Sequence, residues 1–402
     1  MRFVGLVSGR VLARGLAALL QAALLILLAR AFPPGVFGTF AAAYGMAIIG
    51  AAVLGFGAST RIIRLRAETD PGVIAGLFVL RMTGAILGSL MGAIVFIWQP
   101  SAGYAVLVGV AFSVADSVVE FAQAYFAGVE RHGISASLPV TLRLLQVATV
   151  LSLTWASEPT IAYAVTATSL AVSISCGVLL IRTGLLQERS SMHRRALATL
   201  ARSSSGYWFA GVVANIRQLE PVVLLGTGSA ALAGQYSLVT RLANPLLIVP
   251  ATLQLIFVPR LVASLEDAKL LRAAMKRLWT VSAGYSIVLL AAAPLIAILL
   301  PTVLGPEYEG TFALALAVIA ASSLSTLAYV VQIQFIAIGK PWRSSLWIAV
   351  YSLLGVAALA VLAGTSPELV WVVPPAAQAI LLITLVVVSL RDPNIRTTFR
   401  AR

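Results

Sequence analysis

Nine ionisable side chains lie inside long apolar stretches of this chain, where charge is costly. An ionisable group at membrane depth generally faces a partner or a water-filled cavity. A planar guanidinium can donate two parallel hydrogen bonds to a phosphate, and a carboxylate can carry a coupling cation. The nine candidates for binding a charged solute are Arg14, Arg30, Arg81, Arg143, Arg217, Arg241, Asp116, Glu120 and Glu220.

Two interpretations of these charges compete. In the structural one, Glu120 pairs with Arg143 or Arg81, and Glu220 pairs with Arg241, as bridges between neighbouring helices. In the functional one, the charges line a cavity between two lobes of the protein. Because six arginines face only three acids, an anion-accepting cavity explains the set more economically. On this hypothesis the coupling or gating carboxylates are Asp116, Glu120 and Glu220, and the substrate-binding residues are Arg14, Arg81, Arg143 and Arg241.

The elements that position these residues are apolar runs long enough to cross a membrane. A run of about 20 residues predicts one spanning helix, and the chain has twelve such runs. Their cores are 11–31, 39–59, 74–97, 104–127, 138–156, 160–181, 206–226, 235–258, 279–300, 312–338, 346–363 and 369–390.

Basic residues outside these runs all fall in alternate connections. The termini and the connections on one side hold 22 of the 28 Lys and Arg residues, and the other six are the arginines within the spans. The connections at 32–38, 98–103, 157–159, 227–234, 301–311 and 364–368 hold none. Because basic residues resist translocation, the basic side is predicted to be cytoplasmic, with both termini inside. Its loops can also contact anionic lipid headgroups, at about 1 kcal/mol per basic residue.

Composition excludes several classes of function. The chain is 60% hydrophobic and 10% charged, and we attribute its net charge of +14 to membrane topology rather than nucleic-acid binding. It has no GxxxxGK[ST] loop for ATP, one cysteine, Cys176, and two histidines in cytoplasmic connections, His132 and His193. No connection on the outer side exceeds about a dozen residues. We therefore predict that the chain is not an enzyme and holds no metal.

The polar stretch 182–205 divides six spans from six. Shifting the sequence by 196 residues superposes span one on span seven and brings Gly38-Thr39-Phe40 onto Gly234-Gln235-Tyr236. This suggests a parallel duplication about an axis along the membrane normal. The predicted fold is an all-α membrane protein with two six-helix bundles around a central cavity. Its predicted parts are a lobe over 1–190, a cytoplasmic linker over 191–205 and a lobe over 206–402.

Four local patterns carry further predictions. Residues 16–31 imitate a secretory signal, but eleven more spans follow, so we expect span one to be retained. Gly84, Gly88 and Gly92 share one helix face, where close helix packing is the default expectation. Prolines predict kinks in span eight, at Pro245 and Pro250, and in span twelve, at Pro374 and Pro375. Residues 262–279 fit a surface amphipathic helix with an apolar stripe of Val262, Leu265, Ala268, Leu271 and Met275 or Leu278, or equally a solvated connector.

Several stretches resemble bacterial polysaccharide and oligosaccharide-lipid flippases, which belong to the multidrug/oligosaccharidyl-lipid/polysaccharide export superfamily. They are LLILLARAFPPGVFG, ending at Gly38, then 216–260 with its glutamate before LLG, and the Leu304-Gly305-Pro306-Glu307-Tyr308 turn. Glu220 stands where this family more usually has Asp. The resemblance implies two helix bundles facing a cavity that opens alternately to either side of the inner membrane. It also implies movement of an undecaprenyl-pyrophosphate-linked oligosaccharide for O-antigen, capsule or exopolysaccharide synthesis, coupled to Na+ or H+, with a polymerase and a chain-length regulator as partners.

Rival functions remain open at this stage. A cation-coupled multidrug antiporter of the same fold requires an acid-dominated cavity, against which the surplus of arginine counts. A membrane glycosyltransferase or polymerase requires a sizeable outer loop, which the sequence lacks. A scaffold without transport activity is the third alternative.

Overall fold

The computed structural model describes residues 2–58, 71–129, 131–183, 205–265 and 267–392, and these ranges are almost entirely helical. Their contacts divide the chain into two compact units, Met1–Leu238 and Val239–Arg402. The predicted lobe boundary at residue 190 and nearly all of the predicted linker 191–205 lie outside the described residues. The predicted division into lobes therefore stays a prediction.

The first unit contains six long helices followed by a segmented stretch. The long helices are α1 (Arg2–Ala31), α2 (Pro34–Leu54), α3 (Pro71–Ala93), α4 (Gly103–Gly128), α5 (His132–Ser152) and α6 (Glu158–Arg182). The segmented stretch has α7 (Ser205–Asn215), a 3-10 turn over Ile216–Leu219, α8 (Glu220–Thr227) and the start of α9 (Ala230–Leu242). In its core, α2 packs on α3 and α4, and α4 packs on α6.

The second unit contains the rest of α9 and five further helices. They are α10 (Ile248–Ala263), α11 (Ala268–Leu304), α12 (Phe312–Ala337), α13 (Pro341–Thr365) and α14 (Val373–Arg391). Helix α12 is its centre, because α10, α11 and α14 all pack against it. A buried cluster that includes Leu253, Leu278 and Val330 joins α10, α11 and α12.

The predicted membrane segments agree with the helices observed. Eleven helical segments of the described chain are long and apolar enough to cross a membrane. The twelfth predicted span, 206–226, is the stretch from α7 to α8, which the 3-10 turn interrupts. Every predicted span thus corresponds to helix, and the all-α membrane fold is confirmed.

Proline coincides with a break in span eight at Pro245, whereas Pro250 and the prolines of span twelve lie in the first turns of helices. In span eight a 3-10 turn over Asn244–Leu247, containing Pro245, separates α9 from α10. The predicted kink in span twelve is wrong, because Pro374 and Pro375 lie in the first turn of α14 after a 3-10 segment. The first turn tolerates proline, since its amides have no partner within the helix.

The predicted surface helix over 262–279 is also wrong in its extent. Helix α10 ends at Ala263, and the Asp267 carboxylate caps α11 by accepting bonds from the backbone amides of Lys269, at 2.8 Å, and Leu270, at 3.1 Å. The apolar residues beyond this cap, including Leu271 and Leu278, are buried against α10 and α12. The segment is therefore an extension of span nine packed on protein, at the end predicted to be cytoplasmic.

Polar contacts at the helix ends match the predicted sidedness. The Tyr104 hydroxyl donates to the Glu158 carboxylate, at 2.7 Å, and both residues adjoin connections predicted to be outside. The Lys340 ammonium lies 3.0 Å from the buried Asp392 carboxylate, which Arg343 also contacts. Those residues belong to connections predicted to be inside. Each unit therefore brings together connections that the charge pattern assigns to the same side.

The turn between α11 and α12 requires its glycine. Gly305 has a φ of +111°, a conformation that a side chain would strain. Tyr308 follows in a 3-10 turn and is almost fully buried. Burial, with a smaller contribution from Glu307, raises the pKa of Tyr308, so this phenol stays protonated at physiological pH.

Glycines allow α2 and α3 to approach backbone to backbone. A Cβ atom at Gly84 would lie 2.6 Å from the Cα of Gly55, and one at Gly92 would lie 2.7 Å from the Ala43 carbonyl oxygen. At Gly88 a Cβ would overlap with Ala47 and Ala51 of α2. The shared glycine face therefore packs against α2, as the spacing predicted.

A second close approach relates the two halves of the sequence. A Cβ atom at Gly38 would overlap with the Ala230 carbonyl oxygen, and one at Gly234 would overlap with the Pro34 carbonyl oxygen. Ala230 and Gly234 stand 196 residues after Pro34 and Gly38, which is the shift proposed for the duplication. Equivalent residues exchange equivalent contacts, as across a two-fold axis. The reciprocity supports the internal repeat.

The glycine packing gives a test of stability. We expect Gly88→Ala to lower the free energy of unfolding by about 1–3 kcal/mol, because the added methyl group overpacks the α2–α3 contact. The matched control is Gly177→Ala in α6, where nothing lies within 4 Å of the new Cβ. Thermal unfolding of the purified protein measures both, and equal melting temperatures would show that the contact is not tight.

Candidate functional site

The candidate site of the first unit is built around Asp116 on α4. The Asp116 carboxylate accepts a bond from the Arg143 guanidinium of α5, at 2.5 Å, and another from the Tyr44 hydroxyl of α2, at 2.7 Å. Both bonds are charge-assisted, which makes them shorter and stronger than bonds between neutral groups. Three helices are thus held to one carboxylate.

The network continues from Arg143 to a fourth helix. Arg143 donates to the Gln146 side-chain oxygen, at 2.9 Å, and the Gln146 amide donates to the Ser169 hydroxyl of α6, at 2.8 Å. The guanidinium also lies 5.7 Å from the Phe112 ring centroid, which adds a cation–π contact. Arg143, Gln146 and Ser169 are all buried. Burial is tolerated because each polar group in this series has a partner.

A second ion pair joins α3 and α4 nearby. The Arg81 guanidinium lies 2.5 Å from the Glu120 carboxylate, one helical turn after Asp116. The Glu120 side chain is 57% exposed, whereas that of Asp116 is 20% exposed. Exposure weakens an ion pair, so the Arg81–Glu120 pair contributes less to stability than the Arg143–Asp116 pair.

The third pair lies where span seven is broken. Glu220 begins α8 directly after the 3-10 turn, and its carboxylate accepts a bond from the Arg217 guanidinium, at 2.8 Å. The Tyr236 hydroxyl of α9 interacts with both side chains. The pairing predicted for Glu220 was with Arg241, although the three-residue spacing already places Arg217 and Glu220 on one side of a helix.

The arginines predicted to bind substrate have different surroundings in the structure. Arg81 and Arg143 are paired with acids, so neither is a bare cation in this structure. Of the other two arginines predicted to bind substrate, Arg14 is exposed on α1. Arg241 is buried in the second unit, where it makes a hydrogen bond, an ion pair or another electrostatic or ring contact. All three intramembrane acids thus neutralise an arginine. The three pairs account for three of the six intramembrane arginines, so the surplus of three arginines over acids counted from the sequence is unchanged.

The residues predicted from the sequence did not include three members of the network, Tyr44, Gln146 and Ser169. A weak signal was present, because Gln146 follows Arg143 by three residues and so shares its helix face.

Two α4 serines, Ser113 and Ser117, are fully buried and their hydroxyls have no hydrogen-bond partner within the described residues. No group of three or more metal-binding side chains occurs in the part of the chain that the structure describes.

Comparison with known proteins gives matches among solved structures. No family model and no curated protein matches the chain. A multidrug resistance MATE family transporter of the MOP superfamily, in an inward-facing conformation, is 14% identical with a TM-score of 0.72, covering 96% of each chain. The MATE multidrug transporter DinF-BH is 18% identical with a TM-score of 0.67, covering 97% of this chain and 95% of that one.

A third similar structure is a MOP superfamily transporter from Pyrococcus furiosus Vc1, described as having a binding pocket of reverse polarity that suggests a different function. It is 12% identical with a TM-score of 0.57, covering 99% of this chain and 96% of that one. At these identities the likeness establishes the fold. The chain thus has the fold of MATE family transporters of the MOP superfamily.

The contrast between two ion pairs gives the next prediction. We expect Asp116→Asn to lower the free energy of unfolding by about 3–5 kcal/mol, because it leaves the buried Arg143 guanidinium without its counter-charge. Glu120→Gln, which removes the acid of the more exposed pair, should lower the free energy of unfolding by about 0–1 kcal/mol. Adding Arg143→Gln to Asp116→Asn should restore most of the lost stability. Chemical denaturation measures all three variants, and a harmless Asp116→Asn substitution would contradict the pairing.

Proposed function

We propose that this chain is a secondary transporter that moves small organic molecules across the membrane by alternating access, in exchange for a cation. One observation carries the choice of cargo: each of the three intramembrane acids neutralises an arginine. Two of the four predicted headgroup contacts, Arg81 and Arg143, are among these arginines, so a polyanionic headgroup would have to compete with their acids. The similar structures described as multidrug transporters, which match almost the whole chain, support this proposal.

Asp116 is the coupling carboxylate in this proposal. Its two partners come from α2 and α5, so a proton or Na+ bound at the carboxylate weakens contacts to both helices. Such a change gives the cation unequal affinity for two conformations, which is the requirement for driving a transition. Glu120 and Glu220, each already paired with an arginine, are the other candidates for coupling or gating.

Gradient-driven transport tests this proposal. In liposomes containing the purified protein, we expect a lipophilic cationic dye to move against an imposed H+ or Na+ gradient. The charge-neutral variant Asp116→Asn/Arg143→Gln should fold but lose at least about tenfold of the gradient-dependent rate, because its cation site is gone. The matched control is Thr149→Val/Thr168→Val, which removes an uncharged polar contact between α5 and α6. Equal rates in the neutral variant and wild type would exclude Asp116 as the coupling group.

A lipid-linked oligosaccharide flippase is the second candidate. The sequence resemblance supports it, as does the excess of arginine over acid within the spans, to which the predicted substrate contacts Arg14 and Arg241 belong. The description of the Pyrococcus furiosus protein indicates that this fold occurs with pockets of different polarity. With this cargo, a polysaccharide polymerase and a chain-length regulator become the partners, and the bacterial inner membrane the location.

The two cargoes can be separated directly. If the flippase proposal holds, liposomes should translocate undecaprenyl-pyrophosphate-linked oligosaccharide, and Arg14→Gln/Arg241→Gln should slow this at least about tenfold. The variant Arg14→Lys/Arg241→Lys keeps the positive charge but loses the bidentate hydrogen bonds that a guanidinium donates. It should therefore retain part of the translocation rate. Dye movement without lipid translocation would remove the flippase from consideration.

A further inference from the structure

A cavity of about 410 Å³ lies at the predicted cytoplasmic end of the first unit. Its lining is Tyr125, Phe126, Val129, Arg131, Arg182 and Thr183. It is formed where α4 ends, α5 begins and α6 ends. The cavity is separate from the Asp116 network, because Arg131 precedes Arg143 by twelve residues and Arg182 follows Ser169 by thirteen, or roughly 20 Å along either helix.

The two arginines of this cavity differ from those of the candidate site. Both are exposed, and within the described ranges neither guanidinium has a hydrogen bond or an ion pair with the protein. Glu130, the acid next to Arg131 in sequence, lies outside the described residues. Two guanidiniums in one cavity provide up to ten N–H donors with forked geometry, which suits the oxygens of a phosphate.

The rest of the lining is apolar and aromatic. The Phe126 ring is fully buried and lies 5.2 Å from the Tyr125 ring, in an edge-to-face arrangement. The Thr183 hydroxyl is occupied, because it donates to the Leu180 carbonyl at the end of α6. The polar capacity of the cavity therefore resides mainly in the guanidiniums.

An exposed apolar strip on α6 leads towards Arg182. Ile174, Val178 and Ile181 are exposed and recur at helical spacing, so they share one side of the helix. In a membrane such a strip contacts acyl chains. A cationic cavity at the end of a helix that also carries an exposed apolar strip suits an anionic lipid, whose headgroup is charged and whose chains are apolar.

We propose that Arg131 and Arg182 bind the phosphate headgroup of an anionic phospholipid from the cytoplasmic leaflet, with its acyl chain along the exposed side of α6. Bound there, the lipid joins the cytoplasmic ends of α4, α5 and α6. The proposal does not depend on the cargo of the transporter.

Lipid titration of the detergent-purified full chain tests the site. Native mass spectrometry should detect a phosphatidylglycerol adduct at concentrations where phosphatidylcholine gives none. Arg131→Gln/Arg182→Gln should weaken phosphatidylglycerol binding about 30-fold, or about fivefold per guanidinium. The matched control, Lys276→Gln/Arg277→Gln, removes the same charge from exposed positions at the cytoplasmic end of α11 and should leave binding within about twofold of wild type.

Three results would overturn the proposal. Equal loss of binding in the control would show that overall charge, and not this cavity, attracts the lipid. Equal binding of phosphatidylcholine would remove the role of anionic charge. Displacement of the lipid by millimolar inorganic phosphate would show that the site takes a free phosphate, since a lipid held also by its acyl chain resists such competition. Unchanged melting temperatures in the Gln variants confirm that they fold.

Discussion

A charge within a membrane must be matched by another charge, and this constraint shapes the first unit. Leaving either Asp116 or Arg143 without a partner in hydrocarbon would cost several kcal/mol, because the charge would be desolvated without compensation. Together they form a 2.5 Å pair that Tyr44 and Gln146 complete. Because the partners come from α2, α4, α5 and α6, satisfying the charges also fixes how these helices pack.

The close glycine contacts depend on the same arrangement. Helix α2 carries Tyr44 towards Asp116 on one side and meets the glycine face of α3 on another. A helix held by charge on one side and by backbone contact on another has few alternative positions. We therefore expect a change at Asp116 to alter the packing of α2, and the coupling role proposed for it rests on this expectation.

The sequence predicted the spans well, because length and hydropathy are properties of local composition. The orientation inferred from the position of Lys and Arg stays a prediction. It predicted the pairing of charges less well. Depth along the helices suggested either Arg143 or Arg81 as the partner of Glu120, because depth does not give the rotation of a helix. The structure confirms the Arg81 alternative. An arginine side chain reaches further than one turn of about 5.4 Å, so Arg143 bonds Asp116 and Arg81 takes Glu120. The 3-10 turn at Ile216–Leu219, which interrupts span seven, has no clear signature in the sequence.

The central claim is that Asp116 and Arg143 form an ionised pair within the membrane. Difference infrared spectroscopy of the reconstituted protein, comparing wild type with Asp116→Asn at neutral pH, tests it most directly. We predict that the substitution removes a carboxylate band and leaves the protonated-carboxyl region unchanged. The loss of a protonated-carboxyl band in its place would show that Asp116 is neutral, and would contradict the account.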